Sequence, residues 1–206
     1  MQIEAQHLSK RYNREWIFRN LSHQFEKNSR TGIIGSNGSG KSTLLKILAA
    51  AEIPSEGKLF YKFIEGNLKH ETIYKHLSFA APYMDLPEQL NVEELFHFHS
   101  TFKPFQKELS LGKFLELLYL VDSKNKAIKY FSSGMKQRLK LGLAICSTSS
   151  LLILDEPCSN LDKAGIALYW KLVEEFGKER TILIGSNEQA DELQNIDTFI
   201  NLLDFK

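Results

Sequence analysis

The chain has 206 residues, with 26 Lys and Arg against 25 Asp and Glu and a formal net charge of +1. This length fits one domain, or a domain with a subdomain, that can bury a core without disulfides. The sequence contains no large basic block of the kind that would indicate a nucleic-acid partner. Met1–Ala5 has no signal-peptide pattern, and the uncharged run 141–154 is shorter than the roughly 20 residues of a membrane span, so we expect a soluble protein.

The first segments predict strands. Residues 2–6 and 17–26 alternate apolar and polar side chains, which is typical of antiparallel strands with one solvated face. Lys10–Arg14 between them predicts a turn. Arg30–Ile34 is short, apolar and β-branched, as a buried strand should be.

The next segment fits the phosphate-binding loop G-x-x-x-x-G-K-[ST] of nucleoside triphosphatases. Its residues are Gly35, Ser36, Asn37, Gly38, Ser39, Gly40, Lys41, Ser42 and Thr43. The glycines permit a close approach to phosphate, and a helix N-terminus at 44–50 adds positive potential. We assign Lys41 to the β- and γ-phosphates of ATP and Ser42 to Mg²⁺. The alternative, a glycine-rich turn with a chance lysine, is disfavoured by the strand and helix on either side.

The middle of the chain changes from strands to helices. Strands are predicted at 57–63 and 77–81, the second stopped by Pro82. Asn91 with Glu94 predicts a capping box at a helix start, and 109–120 carries a second apolar stripe. Residues 82–150 therefore form a helical insertion. Its aromatic residues lie either in the core of the insertion or exposed for a partner helix: Phe96, Phe98, Phe102 and Phe105.

Two carboxylates follow the apolar strand 151–154. A buried parallel strand delivers its last residues to the edge of the sheet where ligands bind. We therefore predict that Asp155 holds Mg²⁺ and that Glu156 orients and deprotonates the attacking water. Without the upstream loop, an acidic turn would be the simpler interpretation.

Strands and helices alternate to the end of the chain. A helix is predicted at 163–176, a strand at 181–185, a short helix at 188–193 and a strand at 198–202. The pattern predicts an α/β fold with a mostly parallel central sheet. Cys146 and Cys158 lie in or beside apolar segments, so we predict buried, reduced thiols.

The segment 130–139, Tyr-Phe-Ser-Ser-Gly-Met-Lys-Gln-Arg-Leu, resembles the signature of ABC ATPases. Ser159–Asp162 resembles the D-loop of that family, and Tyr12 stands where the family stacks a ring on adenine, with Trp16 as a rival. The resemblance covers nearly the whole chain. It implies a P-loop NTPase fold of ABC type over residues 1–206, with an N-terminal antiparallel β subdomain and the α-helical insertion.

The resemblance also implies partners. In the family, the signature of one subunit closes over the γ-phosphate held by another, which assigns Ser132, Ser133 and Gly134 to ATP across a dimer, a homodimer or a heterodimer. An integral membrane transporter subunit is expected, which would keep the chain on the cytoplasmic side of the membrane. The signature is similar to those of ABC-2 and haem-type exporters.

Three positions depart from the family pattern. Pro82 stands in place of the Q-loop glutamine, Asn187 in place of the switch histidine, and Met135 in place of the signature glutamine. Asn187 can donate and accept hydrogen bonds but cannot carry a proton. We therefore expect slow ATP turnover. A soluble ABC ATPase without a transporter, or an ATP sensor, stays open as an alternative.

Overall fold

The computed structural model describes residues 1–63, 66–187 and 190–206, which divide into two compact units. The first unit comprises residues 1–79, 149–156 and 179–206, and the second comprises 80–148 and 157–178. The division into one domain of 1–206 with an insertion at 82–150 stays a prediction. Within the described residues, no helix is long and apolar enough to cross a membrane.

A four-stranded antiparallel sheet occupies the start of the first unit. Its strands are β1 (Gln2–Tyr12), β2 (Glu15–Phe25), β4 (Glu56–Phe63) and β5 (Gly66–Leu68), in the order β2-β1-β4-β5. The predicted end of the first strand at Gln6 is wrong. The register shifts between Ala5 and Leu8, and this bulge interrupts the alternation on which the prediction rested.

The predicted turn at Lys10–Arg14 is also too long. Lys10 to Tyr12 continue β1, and only Asn13 and Arg14 form the turn. Asn13 has φ of 53°, a left-handed conformation that asparagine tolerates better than most residues.

A five-stranded sheet lies at the centre of the first unit. Its strands are β3 (Arg30–Ile34), β6 (Leu77–Ala80), β7 (Leu151–Asp155), β8 (Thr181–Ser186) and β9 (Thr198–Asn201), in the order β6-β7-β8-β3-β9. Strand β3 pairs in parallel with β8 and β9, and β7 pairs in parallel with β8. The predicted α/β fold with a largely parallel sheet and an antiparallel N-terminal sheet is confirmed.

Helix α1 (Lys41–Leu48) follows the phosphate loop and packs into the core of the first unit. It ends before the predicted limit at Ala50, because Ala50 has φ of 56° and its N–H returns to the Ile47 carbonyl at 2.9 Å. The predicted strand at 198–202 is one residue too long, because a 3₁₀ turn begins at Leu202 and runs to Phe205. Of the predicted helix 188–193, Ala190–Glu192 forms a 3₁₀ turn, and Glu188 and Gln189 lie outside the described residues.

The second unit is helical. Its helices are α2 (Val92–Phe102), α3 (Leu111–Leu118), α4 (Ser133–Cys146) and α5 (Lys163–Phe176). The capping box at α2 is confirmed, with Asn91 Oδ1 accepting from the Glu94 N–H and Glu94 accepting from the Asn91 N–H, both at 2.9 Å. Helix α3 is shorter than predicted, because Ser110 caps its start and Tyr119 is left-handed with φ of 55°.

The aromatic residues of the insertion divide into two groups. Phe96 is buried and stacks on Phe105, with ring centroids 4.4 Å apart. Phe98 and Phe102 contact each other but are 54% and 74% exposed. Cys146 and Cys158 are buried and form no disulfide bond, as predicted.

We expect the free energy of unfolding to decrease as the pH falls from about 6.5 to about 4. Burial and, to a lesser degree, the charge of Lys103 lower the pKa of His99 from 6.5 to about 4. The unfolded chain therefore binds a proton in this window that the folded chain does not, which favours unfolding. After allowance for the partial exposure of the ring, the expected loss is about 1–2 kcal/mol.

Urea unfolding at pH 7 and pH 4.5 tests this prediction with two variants. His99→Gln keeps a donor for Ser147 Oγ, which lies 2.7 Å from His99 Nε2, and should lose the His99 part of the pH dependence. His97→Gln changes an exposed histidine on the same helix and should behave as the parent. An unchanged pH dependence in His99→Gln would contradict the prediction.

Candidate nucleotide-binding site

The phosphate loop joins β3 to α1 and takes a backbone that glycine favours. Gly38 has φ of 76°, and Gly40, the residue before α1, has φ of 104°. A Cβ on Gly40 would lie 2.3 Å from Ile17 Cγ2 of β2. The loop therefore requires glycine at Gly40 for its conformation and for the close approach of β2.

Lys41 is the first residue of α1, and its side chain folds back over the loop. Its Nζ donates hydrogen bonds to the carbonyls of Gly35 and Ser36 at 2.9 and 3.0 Å. The residue is only 4% exposed. An ammonium held in a buried loop is suited to bind phosphate oxygens at close range.

The central sheet places the phosphate loop, Glu156 and Asn187 at one edge. Strand β8 lies between β3 and β7, and the pairs Ile34–Ser186 and Asp155–Gly185 are in register at the carboxyl ends of these strands. The phosphate loop follows β3, Asn187 follows β8, and Glu156 follows β7. The phosphate loop, Glu156 and Asn187 therefore follow adjacent strands at the same edge, where ligands of parallel sheets bind.

Asp155 lies deep in this edge, with 1% exposure. A Cβ on Gly185 would lie 2.7 Å from Asp155 Oδ1 and 2.7 Å from Leu45 Cδ1, so the carboxylate packs against backbone beside α1. Ser42, half-buried in the first turn of α1, is the second predicted oxygen ligand. A carboxylate and a hydroxyl are suitable ligands for Mg²⁺, which is commonly bound together with substrate phosphates.

Glu156 and Asn187 flank the strand ends. Glu156 is half-buried and has φ of 44°, an unusual backbone for this residue type, and its N–H donates to the Gly185 carbonyl at 2.8 Å. Such strain concentrates at functional sites. Asn187 Oδ1 is buried and has no hydrogen-bond partner among the described residues. It is therefore an acceptor available to a ligand.

The two adenine candidates lie on the β1–β2 hairpin. Tyr12 is 45% exposed, and Lys10 Nζ lies 4.9 Å from its ring centroid. Trp16 is half-buried, with the guanidinium groups of Arg11 and Arg19 at 5.4 and 4.8 Å from its ring centroid. Cations lie near both rings, but Tyr12 is the more exposed of the two, which makes it the better candidate for the base.

The signature segment belongs to the second unit and starts α4. Ser132 caps the helix by accepting from the Met135 N–H at 3.2 Å, and both Ser132 and Ser133 are exposed. A Cβ on Gly134 would lie 3.1 Å from the Asn160 carbonyl of the D-loop segment. The 14-residue helix thus presents its N-terminus and two hydroxyls to solvent, an arrangement that favours an anion.

Pro82, in the Q-loop position, is also part of the second unit. Its carbonyl accepts a hydrogen bond from Lys140 Nζ of α4 at 2.7 Å. Burial, opposed by Asp85 and reinforced by Lys136, lowers the pKa of Lys140. The segment after β6 is therefore held to the signature helix through backbone, without a glutamine side chain.

Sequence reasoning missed two residues that shape the site. The Ile17 side chain packs so closely against Gly40 that no Cβ fits there. Gly185 leaves room for the Asp155 carboxylate. Ile17 carries no local signal, since an isoleucine in a strand predicts only a buried side chain. Gly185 did carry a signal, because a glycine within a strand often marks a place where another group approaches the backbone closely.

The ABC transporter family model matches residues 18–159. The chain is 32% identical over 201 residues to the Bacillus subtilis ABC transporter ATP-binding protein YcbN, covering 95% of this chain and 64% of that protein. It is 28% identical to the lantibiotic transport ATP-binding protein SrtF of Streptococcus pyogenes, covering 98% of this chain and 86% of SrtF. It is 31% identical to ATP-binding cassette sub-family A member 17 of Mus musculus, covering 93% of this chain and 12% of that protein.

Solved structures show the same fold. An ABC transporter ATP-binding protein from Pyrococcus furiosus superimposes with a TM-score of 0.82 at 22% identity over the full length of both chains. An ATP-binding subunit of an ABC transporter gives 0.82 at 24% identity, covering 98% of this chain and 85% of that one. Because the family model matches more than half of its residues and its fold agrees with these structures, this chain belongs to the ABC transporter family, among the ATP-binding proteins.

Proposed function

We propose that this chain binds and hydrolyses ATP as the nucleotide-binding subunit of an ABC exporter, and that it drives a separate membrane-spanning subunit. The observation that carries the proposal is the strand-end arrangement of the first unit. The phosphate loop, Asn187 and Glu156 follow the adjacent strands β3, β8 and β7 at one edge of the sheet.

The residues present fit ATP. The loop is open above Gly38, where an added Cβ would meet nothing within 4 Å, so its backbone is accessible to phosphate. Lys41 supplies the cation, and Tyr12 offers an exposed ring for the base. Asn187 Oδ1, a buried acceptor at the same edge, can accept a hydrogen bond from the attacking water.

The residues also fit Mg²⁺, with Ser42 and Asp155 as ligands. When bound with ATP, the ion would neutralise charge on the β- and γ-phosphates. Glu156 is then the general base for the attacking water, and Asn187 orients that water or the γ-phosphate by hydrogen bonds. Because Asn187 carries no proton, we expect turnover to be slower than with a histidine at this position.

The exposed signature of the second unit supports a dimer. Ser132, Ser133 and the N-terminus of α4 form an exposed donor surface, and we propose that they bind the γ-phosphate held by a second nucleotide-binding subunit. ATP would thus join two subunits, and hydrolysis would release them. The chain would thereby act at the cytoplasmic face of the membrane, through its partner.

Co-isolation from native membranes tests the transporter proposal. The tagged chain is expressed in its source cells, the membranes are solubilised in mild detergent, and the bound proteins are identified, with the tag alone as control. We expect a polytopic membrane protein in stoichiometric yield. Recovery of the chain without any membrane protein would overturn the proposal.

A slow ATP sensor is the second candidate, favoured by Asn187 in place of the family's switch histidine and by Pro82 in place of its Q-loop glutamine. A single-turnover assay with excess protein over radiolabelled ATP separates the two. Complete conversion to ADP within minutes supports a motor, whereas bound ATP that persists for hours supports a sensor.

A further inference from the structure

Lys206 connects the phosphate loop to the antiparallel sheet of the first unit. Its Nζ donates hydrogen bonds to the Ile17 carbonyl of β2 and to the Ser39 carbonyl of the loop, both at 2.9 Å. Ile17 is the residue whose side chain packs against Gly40. One ammonium therefore fastens the loop to the strand against which it packs.

The 3₁₀ turn Leu202–Phe205 holds Lys206 in place. Asn201 Oδ1 accepts from the Leu203 N–H at 3.1 Å and so starts the turn. Leu202 is fully buried, and its Cδ2 lies 3.5 Å from the point where a Cβ on Gly40 would be. The turn thus contacts the loop through an apolar side chain as well as through the lysine.

The bond to Ser39 determines the direction of a loop N–H. The Ser39 carbonyl and the Gly40 N–H belong to one peptide group, and the chain has no cis peptide bond among its described residues. In a planar trans peptide the C=O and N–H bonds point in opposite directions. Because Lys206 binds the Ser39 oxygen, the Gly40 N–H points away from the lysine.

We infer that Lys206 is a positioning residue for ATP, which orients the Gly40 N–H toward the bound triphosphate without contacting it. The inference rests on the proposed function, in which this loop binds ATP. Gly40 immediately precedes α1, so its N–H lies at the positive end of the helix, where an anion gains most from a correctly aimed donor.

Calorimetric titration of the full chain with ATP and with inorganic tripolyphosphate tests the inference. Lys206→Met removes the donors and should weaken both ligands about tenfold, the effect of one charge-assisted hydrogen bond. Lys206→Arg keeps the donors and should stay within about twofold of the parent. The matched control, Lys178→Met, changes an exposed lysine and should leave both affinities unchanged.

A spectroscopic measurement without nucleotide separates positioning from a general loss of stability. In ¹⁵N-glycine-labelled protein, Lys206→Met should move the Gly40 amide resonance and leave in place that of Gly112, an exposed residue of α3. If the parent binds neither ligand, the proposed function fails. If the parent binds but Lys206→Met binds equally well, loses only ATP affinity, or leaves the Gly40 resonance unmoved, the inference fails.

Discussion

Replacing Lys41 by alanine should lower ATP affinity at least about 100-fold, because it removes the cation proposed to bind the β- and γ-phosphates through charge-assisted hydrogen bonds. The side chain is 4% exposed and already bonded to the Gly35 and Ser36 carbonyls, so the loop is shaped around an ammonium. Nothing else in the loop motif carries a positive charge. Calorimetric titration with ATP in the presence of Mg²⁺ measures the change.

Two further variants make the result specific to the charge. Lys41→Met keeps most of the aliphatic side chain and should bind ATP as weakly as Lys41→Ala, which excludes lost packing as the cause. Lys46→Ala removes the same charge from the last turn of α1 and should bind ATP like the parent. Parent-like affinity in a folded Lys41→Ala protein would remove the basis for assigning this loop to ATP.

The sequence was most informative where chemistry and local structure coincide. The motif 35–43 was predicted to follow a buried strand and lead into a helix, and it does so between β3 and α1. It could be predicted because the glycines and the lysine that define it lie within one short segment. The capping box at Asn91 and the acidic end of β7 were predictable for the same reason: their partners lie within a few residues.

Elements that depend on distant contacts were not predictable. Strand β1 continues through a bulge at residues 5–8, where pairing with β2 and β4 outweighs the broken alternation. The bond between Lys206 and Ser39 spans 167 positions in sequence. A terminal-region lysine resembles any solvated charge until the fold places a carbonyl beside it.

For the positions that depart from the family pattern, the sequence likewise shows the chemistry of the side chain but not its contacts. That Asn187 lacks a proton follows from its chemistry alone. That its Oδ1 is buried without a partner among the described residues required the structure. Likewise, the sequence showed that Pro82 offers no side-chain ligand, but not that Lys140 binds its carbonyl.

Replacing Glu156 by glutamine should lower the rate of ATP hydrolysis about 100- to 10,000-fold while ATP binding is retained, because glutamine keeps the shape but cannot accept the proton of water. Glu156 directly follows the buried strand β7 and is held by the bond from its N–H to the Gly185 carbonyl. Its backbone is left-handed, with φ of 44°, a conformation that costs a residue with a Cβ about 1–2 kcal/mol. Phosphate release in the steady state measures the rate.

The same variant tests whether ATP joins two subunits. With hydrolysis blocked, Glu156→Gln should elute as a dimer on size exclusion in ATP and as a monomer in ADP, because the triphosphate remains between the loop and the partner's signature. Glu116→Gln, on an exposed position of α3, should hydrolyse ATP at the parent rate and show no trapped dimer. Hydrolysis by Glu156→Gln at the parent rate would exclude Glu156 as the base. A variant that is inactive but monomeric in ATP would leave Glu156 as the base and place the signature serines outside the nucleotide site.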